Sequence, residues 1–315
     1  MESAEETIRR IFGGDDSSLG SSLFELSARY EKINKTRFPK PKQTRYIAVA
    51  NQKGGVGKTT TTVNIAAALA NSGAKVLVVD MDPQGNASTA LGIKHGLDQP
   101  SVYDVLEGRK TIAMVKQTCP DFPTLEVVPS SINLSGAELE VADLANRNDL
   151  LKSALEEFMA QEGVHMDYVL VDCPPSLGLL VINAMCAVNE VLIPIQAEYY
   201  ALEGLGQLIH TISLVQAHYN PMLIVSTMLV TMFDRRTILS KEIYDKVREH
   251  YPTITLKTTI PRSVKISEAP SYQQSVVAYE PKGTGAVSYR EAALEIARKS
   301  PVVLAELEAK KQGRN

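Results

Sequence analysis

Several residue types are scarce or missing in this 315-residue sequence, and each shortage removes a class of protein. Cysteine occurs three times, at Cys119, Cys173 and Cys186. These are too few and too far apart for a disulfide framework or a CxxC metal site, so a reduced, cytosolic setting is expected. The opening Met-Glu-Ser-Ala-Glu-Glu has neither the basic nor the apolar region of a secretory signal. No apolar run reaches the roughly 18 residues of a membrane span. Stretches such as 222–232 are strand-length, and a soluble chain is predicted. Tryptophan is absent and aromatics make up 6%, yet 44% of residues are hydrophobic, enough for a sizeable core. Wholesale disorder, collagen and low-complexity architectures are excluded. There is no excess of one charge either. A net charge of −3 rules out a uniformly basic nucleic-acid binder.

That average conceals unlike regions. Residues 29–45 hold seven basic residues against one acid, and residues 232–265 hold eight against four. The first lies in a distinct leader, residues 1–44, interrupted by Gly13-Gly14-Asp15-Asp16-Ser17-Ser18 and closed by Pro39 and Pro41. Ser3-x-x-Glu6 and Ser22-x-x-Glu25 are capping-box patterns. Leu23, Leu26, Tyr30 and Ile33 follow the second with helical spacing. We expect a flexible, partly helical N-terminal extension over 1–44, one main domain over 45–300 and a C-terminal tail over 301–315.

From Arg45 onward short β-rich runs alternate with helical periods. Strands are expected at 46–50, 75–80, 125–128, 167–172, 190–195, 222–231 and 254–260, and helices at 58–71, 134–160, 179–188, 200–219, 237–250 and 285–299. Continuous apolar strands separated by helices predict an α/β fold: a doubly wound, mainly parallel sheet of about seven to eight strands with helices on both faces. In such sheets ligands sit beyond the carboxyl ends of the strands.

The first strand runs into Asn51-Gln52-Lys53-Gly54-Gly55-Val56-Gly57-Lys58-Thr59-Thr60 and then a helical period. Glycines here let successive N–H groups converge on one anion, and the helix adds its positive end. Lys58 is placed to neutralise β/γ-phosphate charge, the Thr59 hydroxyl to coordinate Mg²⁺, and Thr60 to reach the α-phosphate. The ordinary loop has a glycine where Gln52 stands, and this one carries a second lysine, Lys53. Strand 75–80 ends in Asp80-Met81-Asp82-Pro83-Gln84-Gly85-Asn86, with two carboxylates where a γ-phosphate belongs. Asp80 reads best as a strand-end cap. Strand 167–172 ends Val169-Leu170-Val171-Asp172-Cys173-Pro174-Pro175, apolar residues leading into a carboxylate that can hold Mg²⁺. No histidine near Cys173 marks it as a nucleophile, so it is expected to be a buried filler.

Lys53-Gly54-Gly55-Val56-Gly57-Lys58-Thr59-Thr60 is the deviant Walker A loop, and here the sequence resembles the ParA branch of the ParA/MinD ATPases (P-loop NTPases). The resemblance spans roughly residues 45–300. It implies that Lys53 reaches across a homodimer to the partner's ATP, that Asp82 positions the attacking water, and that Asp172 serves the metal. Catalytic roles thus fall to Lys53, Lys58 and Asp82, metal binding to Thr59 and Asp172, and nucleotide binding to residues 53–60, including Gly54, Gly55, Val56 and Gly57. Thr259-Ile260-Pro261-Arg262-Ser263-Val264-Lys265 is similar to a family segment that packs near the adenine and joins a DNA-binding surface. Pro261 and Ser263 are accordingly expected at the nucleotide. Ser263 stands where the family has Asn, and Lys265 replaces Arg, which keeps the charge and loses the bidentate fork. Phe233-Asp234-Arg235-Arg236-Thr237 resembles another family segment, so Arg236, Arg262 and Lys265 are the expected DNA contacts.

The resemblance implies a Mg-dependent chromosome- or plasmid-partitioning ATPase, weak on its own. Its ATP-bound sandwich dimer would hold double-stranded DNA nonspecifically until a ParB-type partner stimulates hydrolysis, giving a cytoplasmic, nucleoid-associated protein. The alternatives are a related ATPase that positions a protein cargo and a MinD-like spatial regulator of division. The end of the chain, Pro301 to Lys311, is short and mixed in charge, poor for a MinD-type membrane anchor. Paired cysteine ligands for an iron–sulfur relative are missing, and a 44-residue leader is too small for the helix-turn-helix domain of repressor-type plasmid proteins.

Overall fold

A computed structural model of the chain describes residues 18–140, 146–198 and 201–312. The first capping-box pattern, Ser3-x-x-Glu6, lies outside the described residues. Helix α1 (Ser18–Lys35) precedes β1 (Arg45–Val49), the phosphate-loop helix α2 (Lys58–Asn71) and β2 (Val76–Asp80). Three short helices follow, α3 (Asn86–Ala90), α4 (Val102–Leu106) and α5 (Ile112–Val115), then β3 (Gln117–Thr118) and β4 (Leu125–Val128). The chain continues through α6 (Leu134–Glu140), α7 (Leu150–Met159), β5 (Tyr168–Asp172), α8 (Leu179–Ala187), β6 (Glu190–Gln196), α9 (Ala201–His218) and β7 (Ile224–Thr231). It closes with α10 (Ile238–His250), α11 (Val264–Glu268), α12 (Val276–Tyr279), α13 (Thr284–Arg298) and α14 (Ser300–Gln312).

Seven strands form one sheet in the order β3-β4-β2-β5-β1-β6-β7. Every pairing is parallel except β3 with β4. The α/β, mainly parallel architecture is therefore as expected. All five residues of β2 and of β5 are buried, as strands covered on both faces must be. One apolar core packs α2 and α13 against one face, and a second packs α7, α8 and α9 against the other.

The structure differs from expectation in several places, and the short helices α3, α4, α5, α11 and α12 and the C-terminal helix α14 are additions to the expected set. Residues 254–260 run beside β7, with Leu256 N donating to Met228 O and Ile260 N to Val230 O, both at 2.9 Å. They make only isolated bridges there. The reason is Glu295, whose carboxylate accepts the backbone N–H groups of Lys257 and Thr258 at 2.9 and 2.8 Å and turns them away from a ladder. The helix expected over 134–160 is divided: α6 is described over Leu134–Glu140, and a separate helix, α7, begins at Leu150 after a turn at 146–148. The short edge strand β3 has only two residues, too few for any periodicity to show.

In the leader, α1 lies along α13. Arg29 donates through Nε and Nη2 to the two oxygens of Glu291 at 3.1 and 2.6 Å, and again to Ser288 Oγ at 3.1 Å. Ile33 and Phe38 are buried in the core. Arg45, at the start of β1, forms a buried bidentate pair with Glu190 at 2.8 and 2.5 Å. No helix among the described residues is long and apolar enough to cross a membrane.

Candidate nucleotide-binding site

The strand order places the carboxyl ends of β1, β2 and β5 side by side, with β1 between β5 and β6. Asp80 and Asp172, the last residues of β2 and β5, are register partners. The phosphate loop leaves β1 at the same edge, so segments far apart in sequence meet there.

Local bonds shape the loop. Asn51 is buried, its Nδ2 donating to Pro194 O at 2.8 Å while its Oδ1 accepts the Lys53 N–H at 3.1 Å. Thr231, at the end of β7, donates its hydroxyl to Val56 O at 2.8 Å. Gly55 and Gly57 take φ values of 75° and 87°, the left-handed region that side chains disfavour. From Gly57 the chain enters α2, with Thr61 N donating to Gly57 O at 2.8 Å. The amino end of a fourteen-residue helix thus points at the space above the strands.

Lys58 is 7% exposed. Its pKa is lowered, chiefly by burial, which the nearby carboxylates of Asp172 and Asp82 oppose. Lys58 Nζ approaches Lys53 O at 3.4 Å. Asp172 is fully buried, and its Oδ1 accepts the Thr62 hydroxyl at 2.8 Å. Its Oδ2 is buried with no hydrogen-bond partner. Burial first, and the charge of Asp80 second, push the Asp172 pKa up, and the hydroxyls of Thr59 and Thr62 counter them. A bare carboxylate oxygen beside a threonine hydroxyl is the hard-oxygen donor set that Mg²⁺ takes when nucleotide phosphates and waters complete its shell.

The two carboxylates at and just beyond the end of β2 do different work. Asp80 is wholly buried and accepts Ser88 N at 2.8 Å, Ser88 Oγ at 2.7 Å and Asp82 N at 3.2 Å. It ties the 82–88 segment to the strand end. Asp82 has fewer ties: its Oδ1 accepts Gln84 N at 3.0 Å and the residue is 8% exposed. Cys173 is completely buried, and burial drives its thiol pKa upward, so it has no thiolate character.

The structure therefore brings Lys58, Thr59, Asp82 and Asp172 to one edge, and Lys53 beside them. Lys53 Nζ lies 3.2 Å from Glu198 Oε2. Glu198 also accepts from Gln196 Nε2 at 2.6 Å and has Arg262 Nη2 at 3.8 Å. Glu198 was not among the expected residues. It stands two residues beyond β6, on the strand-end loops where ligands belong, so position alone could have flagged it.

The remaining expected residues lie elsewhere on this side. Thr59 and Thr60 border a cavity of about 270 Å³ whose lining also includes Ile266 and Pro270. Pro261 borders a different groove, of about 420 Å³, together with Arg236, Arg262 and Leu26 of α1. Ser263 is the residue before α11 and makes no cap hydrogen bond with its side chain. Arg236 is paired with Asp234 at 3.0 and 2.8 Å, which holds the Asp234 carboxyl down to about 2. Lys265 pairs with Glu268 at 3.0 Å. Arg236, Arg262 and Lys265 are all exposed.

Known proteins are similar to this chain. A family model described as an AAA domain matches residues 44–225. The sporulation initiation inhibitor protein Soj of Bacillus subtilis is 46% identical over 254 residues, covering 80% of this chain and 98% of that protein. The chromosome partitioning protein ParA of Caulobacter vibrioides is 45% identical over 254 residues, 80% of this chain and 93% of its own. This chain belongs to the ParA/Soj family of chromosome-partitioning ATPases. A crystal structure from Mycobacterium smegmatis, described as a cobyrinic acid a,c-diamide synthase with bound ADP and magnesium, has a TM-score of 0.69 and 37% identity, covering 82% of this chain and 95% of that one. The septum site-determining protein MinD of Pyrococcus horikoshii, complexed with Mg-ADP, shares the fold at a TM-score of 0.64 and 23% identity, covering 83% and 99%. In this ParA/Soj-family chain the candidate nucleotide-binding machinery is the loop 53–60 with the strand-end carboxylates.

Proposed function

We propose that the chain hydrolyses ATP with Mg²⁺ as a sandwich dimer that binds duplex DNA without sequence preference and lets go after hydrolysis. The observation that carries this is the meeting of Lys58, Asp82 and the unpartnered Asp172 oxygen at one sheet edge, with Lys53 on the same loop.

Each residue has a physical task. The loop amides and the α2 terminus bind the phosphates. Lys58 offsets charge that grows on the β–γ bridge, and its burial strengthens that effect. Thr59 and Asp172 would hold Mg²⁺, which when bound neutralises β/γ-oxygen charge. Asp82 orients a water for in-line attack. Lys53 swings from Glu198 to the nucleotide of a second copy, which makes assembly depend on ATP. Pro261 and Ser263 flank the base. Arg236, Arg262 and Lys265 contact DNA phosphates, strongly weakened by salt. A ParB-type partner accelerates hydrolysis, in a cytoplasmic, nucleoid-associated cycle.

ATP turnover of the full-length protein, with and without arbitrary duplex DNA and a ParB-type protein, tests the reading. A weak basal rate raised by the two together is expected. Turnover indifferent to both would overturn it, and stimulation by a protein cargo factor instead would favour the cargo-positioning alternative.

A further inference from the structure

A second cationic feature lies between the leader and the ATPase domain. Arg29, Lys32 and Ile33 share one face of α1 by their three- and four-residue spacing, and Thr36 follows just past the helix end. That face, the 257–259 segment and α13 enclose a groove of about 390 Å³. Two acids line it, Glu291 and Glu295, and both are consumed within the fold. Glu291 takes both forks of Arg29. Glu295 takes the N–H groups of Lys257 and Thr258 and the Thr258 hydroxyl, the last at 2.5 Å.

Lys32, Lys257 and Arg298 line the same groove and are exposed. Among the described residues, none of these three side chains pairs with a carboxylate. Three unneutralised cations converging on one concavity repel each other unless an anion lies between them. The groove also continues into its neighbour. Arg29 and Arg235 line both, and Arg236 and Arg262 line the second.

We propose that this groove is a phosphate-binding strip for duplex DNA, through which helix α1 extends the surface of Arg236 and Arg262. Lys32, Lys257 and Arg298 meet backbone phosphates, while Arg29, through Glu291, holds α1 in place. The contacts are to phosphodiesters and carry no sequence information. The inference rests on the reading of the chain as a DNA-binding ATPase.

The test uses the full-length, ATP-loaded protein and an arbitrary duplex, with affinity measured over a range of salt. Neutralising Lys32→Gln, Lys257→Gln and Arg298→Gln together should reduce the slope of log affinity against log salt by up to about 2.7 for each protomer on the duplex, at about 0.9 per phosphate lost. Affinity at moderate salt should drop about tenfold or more, and Lys32→Glu alone should weaken binding in the same direction. Thermal unfolding and basal ATP turnover should stay parental. A triple variant with parental slope and affinity, in a protein whose DNA binding is lost with Arg236→Ala and Arg262→Ala, would overturn the strip alone. A parental protein with no salt-sensitive duplex binding would instead bring down the DNA-binding reading itself. Uptake of inorganic tripolyphosphate that the triple variant loses, with duplex affinity intact, would overturn the DNA assignment in favour of a free-anion site.

Discussion

Glu198 Oε2 lies 3.2 Å from Lys53 Nζ, so the additional lysine of the phosphate loop is paired with a carboxylate of its own chain. The two side chains are 34% and 46% exposed, which limits such a pair to about 1 kcal/mol. Removing the carboxylate by Glu198→Gln frees Lys53 for a second copy. With one such pair freed in each protomer, association with a non-hydrolysable ATP analogue should tighten by no more than about thirtyfold, read by light scattering. Weaker association would instead make Glu198 a support of the dimer.

Asp82→Ala separates binding from chemistry. The side chain accepts one backbone hydrogen bond, from Gln84, so truncation should cost about 1 kcal/mol of stability. ATP binding should persist and hydrolysis fall by about a hundredfold or more, leaving the ATP state to accumulate. Single-turnover measurement at the parental rate would remove Asp82 from the reaction.

Asp172 carries a buried oxygen that the fold itself does not satisfy. Its Oδ2 is buried without a partner, while Oδ1 accepts Thr62. Asp172→Asn keeps an acceptor for Thr62 and removes a buried ionisable group. Without magnesium the variant should be at least as stable as the parent, by up to about 2 kcal/mol in denaturant unfolding. The additional stabilisation from ADP with Mg²⁺ should disappear. Loss of stability in chelator would mean that the carboxylate serves the fold.

Arg45 and Glu190 test the frame that carries the site. Both are nearly inaccessible, and Arg45 Nη1 also donates to Ile296 O at 2.5 Å and Ser300 Oγ at 3.1 Å. Arg45→Met should destabilise by about 3–5 kcal/mol, because Glu190 is left charged in the interior. Adding Glu190→Leu should recover most of that loss in denaturant unfolding, whereas additive losses would show that the pair is held by more than its own charges.

The phosphate loop was legible in the sequence because its chemistry demands neighbours. One anion is wrapped by consecutive amides, so glycines, Lys58 and Thr59 must follow each other directly. Asp82 and Asp172 were legible as candidates for a related reason, since one lies two residues beyond and the other at the end of a strand whose apolar run is plain. Glu295 was not, because the amides it accepts, those of Lys257 and Thr258, are 38 and 37 positions away. Nothing in residues 254–260 themselves warns that those amides are taken. The break between α6 and α7 was hidden likewise, inside an apolar pattern that either one helix or two would satisfy.

What the sequence by itself determined is the α/β sheet and the order of its phosphate-binding parts, because strand hydrophobicity and a tight anion loop are local properties. Only the tertiary structure decided that Glu198 holds Lys53, that Arg29 seats the leader helix on Glu291, and that Lys32, Lys257 and Arg298 face one groove. The two pairs join residues 145 and 262 positions apart, and the groove brings Lys32 together with residues more than 200 positions away. A charge has no periodicity that names its partner, and only the packed chain brings the two within reach.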